Sequence, residues 1–400
     1  MSENVKLEDL INNVFFTEKD DNISGTSQRD PLGLQPIWSF YGRRVINHLT
    51  TISTNIHGFR EVLLCLAICK EVYVEKSRFS YADLILFFEQ LFIYTSISKG
   101  RIEGILGSDN GNAKFIANNS NPELSSTKTI LVREISLGYY GRYKTPLSTM
   151  GIIDGRSELQ IDTAVIKKLY GEERFLEIQT AFKKYIFESN NKRFNCFEAK
   201  ETLFEAIFGK FRSGERKFWI TKLYEDKGEK KELMELCYEQ VNKESIAQQL
   251  FTSLSSKAEV NDILRLEPYL RCLEQIFYKA MASRKINEIG IDNIKAHEKS
   301  YQDFCQINAL SATPLFRERI KFLREKCNPA NTDYIENVIR YHELVCKQKK
   351  SSVWVEMDTE GRLQPFVNTN DVDIDISVWG RDYYLSSLKS IKSEILEFSK

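Results

Sequence analysis

A mainly α-helical chain of two or three packed subdomains, closing in a small β-hairpin, is the fold predicted by three observations. Apolar residues recur at helical spacing along most of the sequence. Proline is scarce, at 8 residues, while Phe (25) and Tyr (18) are abundant, a balance that favours long helices with aromatic packing over a loop-rich scaffold. With 400 residues, the chain also exceeds the size at which one core stops growing. Its 42% apolar and 28% charged residues are ordinary for a globular protein and argue against disorder.

The elements follow in order. Residues 1–29 pair a short amphipathic piece with the polar run TEKDDNISGTSQR and read as a flexible arm. Asp30-Pro31-Leu32-Gly33-Leu34 is a turn: Pro31 sets its own φ, Gly33 tolerates positive φ, and Asp30 accepts from backbone N–H groups ahead of it. From Ile46 to Lys76, Ile52, Ile56, Phe59, Val62, Leu63, Leu66 and Ala67 mark a helix that begins near the threonines, with Thr50, Thr51, Ser53 and Thr54 as candidate caps. YADLILFFEQLFIYTSIS is apolar on nearly every face and reads as a central buried helix stopped by Gly100. Glu89 inside it requires an Arg or a helix N-terminus as partner, a reading preferred to that of a catalytic acid. Residues Gly107 to Thr127, rich in Gly, Asn and Ser, are expected to form a long loop.

Helical patterns resume with Val165, Ile166, Leu169, Phe175, Ile178, Phe182 and Ile186. They continue through Leu233, Leu236, Cys237 and Val241, through Leu266, Leu270, Leu273, Phe277 and Met281, and through Tyr301, Phe304 and Cys305. Pro268, Pro314 and Pro329 are expected to mark helix starts or breaks. SSVWVEMDTEGRLQPFV alternates on either side of Glu360-Gly361, as a hairpin does, and DYYLSSLKSIKSEILEF ends the chain as a helix with Tyr384, Leu388, Ile391 and Ile395 on one stripe. The expected domains are 30–190, 191–347 and 348–400, after the arm over 1–29.

Chemistry is sparsely written. The 56 basic and 56 acidic residues cancel, so no global field steers the chain to nucleic acid or to an anionic membrane. The eight cysteines lack CxxC spacing and read as buried small hydrophobes. Phosphate-loop, dinucleotide, zinc-protease, nucleophile-elbow and kinase motifs are missing from the sequence, and neither a cofactor nor a metal is expected. Asp371-Val372-Asp373-Ile374-Asp375 departs from a calcium loop, which needs Gly and Glu where Ile376 and Asp382 stand. His48 and His57 read as hydrogen-bonded structure rather than as bases. Lys210, Arg212, Arg216 and Lys217 interleave with Phe211, Phe218 and Trp219. That pattern reads first as a solvated segment beside a buried Trp219, and second as a nucleic-acid contact in which charges follow the backbone while aromatics stack on bases. The N-terminus lacks a basic stretch followed by an apolar run, and a cytoplasmic location is expected.

Asp30, Leu32, Gly33, Leu34, Leu49, Thr51 and Thr54 carry a resemblance. Their order is similar to the N-terminal pattern of a group of uncharacterised bacterial proteins encoded in phage-defence islands. In those proteins an Asp-x-Leu-Gly-Leu turn precedes Leu-Pro-Gly-Leu-Thr-x-x-Thr and an Arg-Tyr-Tyr at the head of a long helix. Here Asn47-His48 stand for the Pro-Gly and His57-Gly58-Phe59 for the Arg-Tyr-Tyr, as in a divergent member. Weaker echoes at Phe88-Glu89, Gly104 to Gly107 and Tyr143 to Gly151 extend the likeness over the first 190 residues, and Trp379 to Leu388 adds a faint one. The resemblance implies one subunit of a multi-component anti-phage system, beside an ATPase, helicase or nuclease. On that basis the chain is expected to be a non-catalytic adaptor or sensor that docks on such a partner and touches DNA. The alternatives are a nucleic-acid-directed effector enzyme, in which acidic residues and a lysine converge, and a DNA-binding regulator.

Overall fold

The computed structural model describes residues 30–74, 79–131, 133–153, 161–188, 192–225, 228–308, 314–367 and 374–399; the arm over 1–29, the end of the second helix beyond Val74, and Asp371 and Asp373 lie outside them. Among the described residues the protein is mainly helical, with 17 α-helices and one small antiparallel sheet, in agreement with the sequence. In chain order the first eight helices are α1 (Gln35–Val45), α2 (Ile56–Val74), α3 (Tyr81–Ser98), α4 (Ser108–Ala117), α5 (Glu134–Leu137), α6 (Tyr139–Thr149), α7 (Thr163–Tyr170) and α8 (Glu172–Phe187). There follow α9 (Lys200–Phe208), α10 (Glu215–Leu223), α11 (Glu229–Gln240), α12 (Ala247–Ser253), α13 (Ala258–Ala282), α14 (Ile294–Cys305), α15 (Arg317–Lys326) and α16 (Tyr334–Lys349). Strands β1 (Val355–Met357) and β2 (Leu363–Pro365) and helix α17 (Leu385–Glu397) complete the chain. No helix among the described residues is long and apolar enough to cross a membrane.

The chain divides into two compact units, each assembled from separated stretches: Met1–Val45 with Asn242–Leu385, and Ile46–Val241 with Ser386–Lys400. This grouping differs from a sequential one, because each unit joins an N-terminal stretch to a C-terminal one, and no local pattern encodes such a pairing.

The first unit is organised by α13, which packs against α1, α12, α14 and α16. Its stripe of Leu266, Leu270, Leu273, Phe277 and Met281 is buried, as the spacing predicts. Pro268 does not break it: the helix runs through that residue from Ala258 to Ala282. Apolar side chains on both sides of Pro268, including Val260, Ile263, Leu270 and Leu273, are all buried, and their packing outweighs the local cost of about 3 kcal/mol for an interior proline. The hairpin forms where the alternation places it, with Glu356 opposite Gln364.

In the second unit α2 and α3 pack together as the core, with α6, α9 and α4 around them. The Ser80 side chain accepts from Asp83 N–H and Asp83 from Ser80, a reciprocal cap at the start of α3, and Gly100 follows its end at φ +73°. The expected loop over 107–127 is in part a helix, α4. Its polar residues conceal it because it has no apolar stripe. What seats it is Gly111, where a Cβ would stand only 3.0 Å from Ile93 and Ile97 of α3, together with Phe115, whose ring stacks on Tyr94 with centroids 6.2 Å apart. Helix α1 was likewise not foreseen; its buried stripe is the narrow set Ile37, Tyr41 and Val45.

Candidate functional site

Three places carry the residues singled out in the sequence. The first, in the Met1–Val45 and Asn242–Leu385 unit, is the Asp30 to Leu34 turn. Asp30 Oδ1 accepts from Leu34 N–H at 2.8 Å and Oδ2 from Gln35 N–H at 3.2 Å, so its carboxylate satisfies donors at the head of α1. Lys349 Nζ donates to the Asp30 carbonyl at 2.7 Å, Arg319 Nη1 to the Gly33 carbonyl at 3.2 Å, and His342 Nδ1–H to the Pro31 carbonyl at 2.8 Å. His342 Nε2 in turn accepts from Trp354 N–H at 2.8 Å, which sets the neutral Nδ1–H tautomer. Leu32 and Leu34 are buried. The turn is thus clamped on three sides.

Gly33 has φ +59°, and a Cβ there would lie 2.7 Å from Arg319 Nη1 and 2.9 Å from Val345 Cγ1. Gly33→Val is expected to destabilise the protein by about 2 kcal/mol, through left-handed strain and overpacking. Urea denaturation measures this directly. A variant that melted like the parent would remove this structural reading of the turn.

The second place is the approach to α2, where the helix does not begin at the threonines. Thr50 and Ser53 hydrogen-bond one another, with Thr50 N–H on Ser53 Oγ at 2.7 Å, Thr51 is exposed, and the helix starts only at Ile56. Its first N–H groups are taken by Glu394 of α17, whose carboxylate accepts from Ile56 and His57 N–H. Ser387 of the same helix donates to the Thr50 carbonyl at 2.7 Å. The cap therefore comes from 338 residues away, and no local signal could have found Glu394. His57 is buried, with Nε2 3.3 Å from the Gly104 carbonyl, and burial lowers its pKa to about 4, so it is neutral. Thr54 lines a small cleft with Tyr139, Arg142 and Tyr143.

The third place is the basic segment. Lys210, Arg212, Arg216 and Lys217 are all exposed, at and just before the start of α10. Of the interleaved aromatics, Phe211 and Phe218 are half-buried and Trp219 is buried. Trp219 is 1% exposed, and Phe211 stacks on Phe398 with centroids 5.4 Å apart. Between and beneath them lies Arg60, fully buried, with Nε 2.8 Å from Glu215 Oε1 and Nη1 donating to the Ile207 carbonyl at 2.5 Å and the Gly209 carbonyl at 2.7 Å. A hydrophobic and ionic anchor thus fixes the loop from which the four cations project. Trp219 belongs to the core and is not placed to stack on bases.

Acidic residues do gather, out of solvent. Glu61 of α2, Glu89 of α3 and Glu134 of α5 are all at most 1% exposed, and they lie close enough that Glu89 and Glu134 raise the pKa of Glu61, and Glu134 that of Glu89. Glu89 finds the helix N-terminus that its position in the sequence demanded: Oε1 accepts from Tyr140 N–H at 2.5 Å, at the head of α6. Glu134 accepts from Ile130 N–H at 2.8 Å, whereas neither oxygen of Glu61 has a hydrogen-bond partner among the described residues. Burial pushes Glu89 up to about 8 and Glu134 to about 7, and Glu61 well above the carboxylate range. Among the described residues no group of three or more His, Cys, Asp or Glu side chains is placed to hold a metal ion. Comparison with models of protein families, with curated proteins and with solved structures finds no match for this chain.

Proposed function

We propose that this protein is a non-catalytic accessory subunit of a multi-component bacterial anti-phage system, docking on an ATPase, helicase or nuclease and meeting nucleic acid through its exposed basic segment. The observation that carries the nucleic-acid part is the exposure of four cations around α10. Lys210, Arg212, Arg216 and Lys217 face solvent beside the buried Trp219. A surface of this kind offers cations to phosphates, which suits contact independent of sequence. The anti-phage setting rests on the resemblance carried by Asp30, Leu32, Gly33, Leu34, Leu49, Thr51 and Thr54.

The quadruple variant Lys210→Ala, Arg212→Ala, Arg216→Ala, Lys217→Ala is expected to weaken duplex DNA binding about tenfold or more and to flatten the slope of log K against log salt by roughly 3. Unchanged affinity and slope would remove the basic segment from the proposal. Docking is tested by tagged capture from cells carrying the neighbouring genes, with and without nuclease treatment. A stoichiometric, nuclease-resistant ATPase, helicase or nuclease supports the accessory role; recovery of the chain alone, or only with nucleic acid, contradicts it.

A further inference from the structure

We propose that the cleft beside the approach to α2 binds a carboxylate that carries a short aliphatic group. The cleft has a volume of about 150 Å³, and its polar lining comes mainly from one helix: Tyr139, Arg142 and Tyr143 occupy one face of α6. The two phenol rings lie nearly parallel, with centroids 6.1 Å apart. The Tyr139 hydroxyl oxygen accepts from Leu106 N–H at 3.0 Å, and the Tyr143 hydroxyl oxygen accepts from Asn55 N–H. With its acceptor role taken by backbone, each phenol has its own proton left to give. Both tyrosines are 2% exposed, and among the described residues neither O–H has an acceptor.

Arg142 adds positive charge to these two donors, and the carboxyls nearest them, Glu394 and Glu61 by Tyr143 and Glu61 and Glu89 by Tyr139, are raised by burial toward their neutral form. Arg142 Nε donates to the Leu137 carbonyl at 3.2 Å, and among the described residues no carboxylate pairs with its guanidinium. Burial raises the pKa of both phenols, so they remain neutral donors at physiological pH. The N–H groups at the start of α2 are already used by Glu394 and take no part. A cleft furnished with two O–H donors and a guanidinium calls for a ligand rich in acceptors, and a carboxylate has two oxygens able to accept about four hydrogen bonds. Ile105, buried, and Ile52, 47% exposed at the rim, supply an apolar wall. The cleft is half open to solvent and has room for a carboxylate with a short branched chain set against Ile105 and Ile52. Such a group occurs as a free short-chain acid or as the C-terminal residue of a polypeptide.

Titration calorimetry on the full chain tests the site with four probes: isovalerate, isovaleramide, and a pentapeptide ending in valine with its terminus either free or amidated. Both free acids are expected to bind at least about tenfold more tightly than their amides, because the amide removes the charge and one acceptor. Tighter binding of isovalerate than of the peptide would assign the site to a free acid; the reverse would assign it to a chain terminus. Tyr139→Phe and Tyr143→Phe, which keep the rings, and Arg142→Gln are each expected to lower acid affinity by about fivefold or more. Their circular dichroism should match that of the parent; should one of the three fail to fold, the other two decide. Acid and amide binding alike, no acid binding, or folded variants with unchanged affinity would overturn the proposal.

Discussion

Arg60→Ala is expected to destabilise the protein by about 3–5 kcal/mol, the cost of removing one partner of a buried ion pair. The guanidinium is 1% exposed and meets Glu215 at 2.8 and 3.3 Å, while Nη1 also donates to two carbonyls at the end of α9. Phe211 and Phe398 flank it with ring centroids 5.4 and 5.3 Å from Cζ, and Phe211 N–H donates to the Phe398 carbonyl at 2.7 Å. One cation thus joins α2, the loop before α10 and the end of α17. Burial raises the Glu215 pKa even with Arg60 beside it, so in the variant this carboxyl takes up a proton and keeps its contacts with Arg212 N–H and Trp219 Nε1. That response prevents a larger loss. It also predicts that the double variant Arg60→Met, Glu215→Leu, which removes both desolvation costs, is less destabilised than Arg60→Ala alone. Urea denaturation of the parent, single and double variants decides the matter: a loss below about 1 kcal/mol for Arg60→Ala would mean that the aromatic stack, and not the ion pair, anchors the loop.

Arg60 also shows where sequence reading loses its grip. Along α2 the apolar spacing predicts Ile56, Phe59, Val62, Leu63, Leu66 and Ala67 correctly as buried, whereas Ile52, placed on the same stripe, lies before the helix and is exposed. The same pattern assigns His57, Arg60 and Glu61 to its gaps, which in an ordinary amphipathic helix face water. They are buried here because neighbours surround α2 on every side, and a hydrophobic pattern carries no information about how many sides are covered. The partners that make this tolerable come from far away, Glu215 for Arg60 and Glu394 for the head of the helix. Some local chemistry that closes within a few residues was legible, as in the Asp30 contacts with Leu34 and Gln35 and in the Glu360-Gly361 hairpin, while the equally local Ser80–Asp83 cap was not read. Glu89 is an intermediate case. Its place in an apolar run declared that a partner was needed, and only the fold could say that the head of α6 supplies it.

Stability is expected to fall by about 3 kcal/mol between pH 7 and pH 9, the opposite of the behaviour of a protein held by ionised carboxylates. Burial raises four carboxyls of the Ile46–Val241 and Ser386–Lys400 unit: Glu61 well above its usual range, Glu89 to about 8, and Glu134 and Glu394 to about 7. In the unfolded chain these groups ionise near pH 4.5, about their model-peptide value. Between that value and the raised ones the native state holds more protons, and stability therefore decreases as pH rises. The contribution is complete below the unfolded pKa and is lost as pH passes through 7 and 8. His57 acts on the other side: its lowered pKa of about 4 makes the folded state reluctant to accept a proton, and that loss appears only as pH falls below about 6.5. Within pH 7–9 the carboxyls are joined by Glu267 of the other unit and by the thiols of Cys65, Cys237, Cys272 and Cys327, all raised by burial and acting in the same direction. Glu61→Gln separates these terms. Glu61 has no hydrogen-bond partner among the described residues, so a neutral amide of the same shape removes the ionisation without breaking a contact. The variant should match the parent only near pH 4, where Glu61 is protonated in both states, and exceed it by a growing margin as pH rises to 9. Denaturation midpoints that stayed flat or rose over this interval would show that the three acids are ionised and solvated in the native state, and that α2, α3 and α5 enclose water rather than protons.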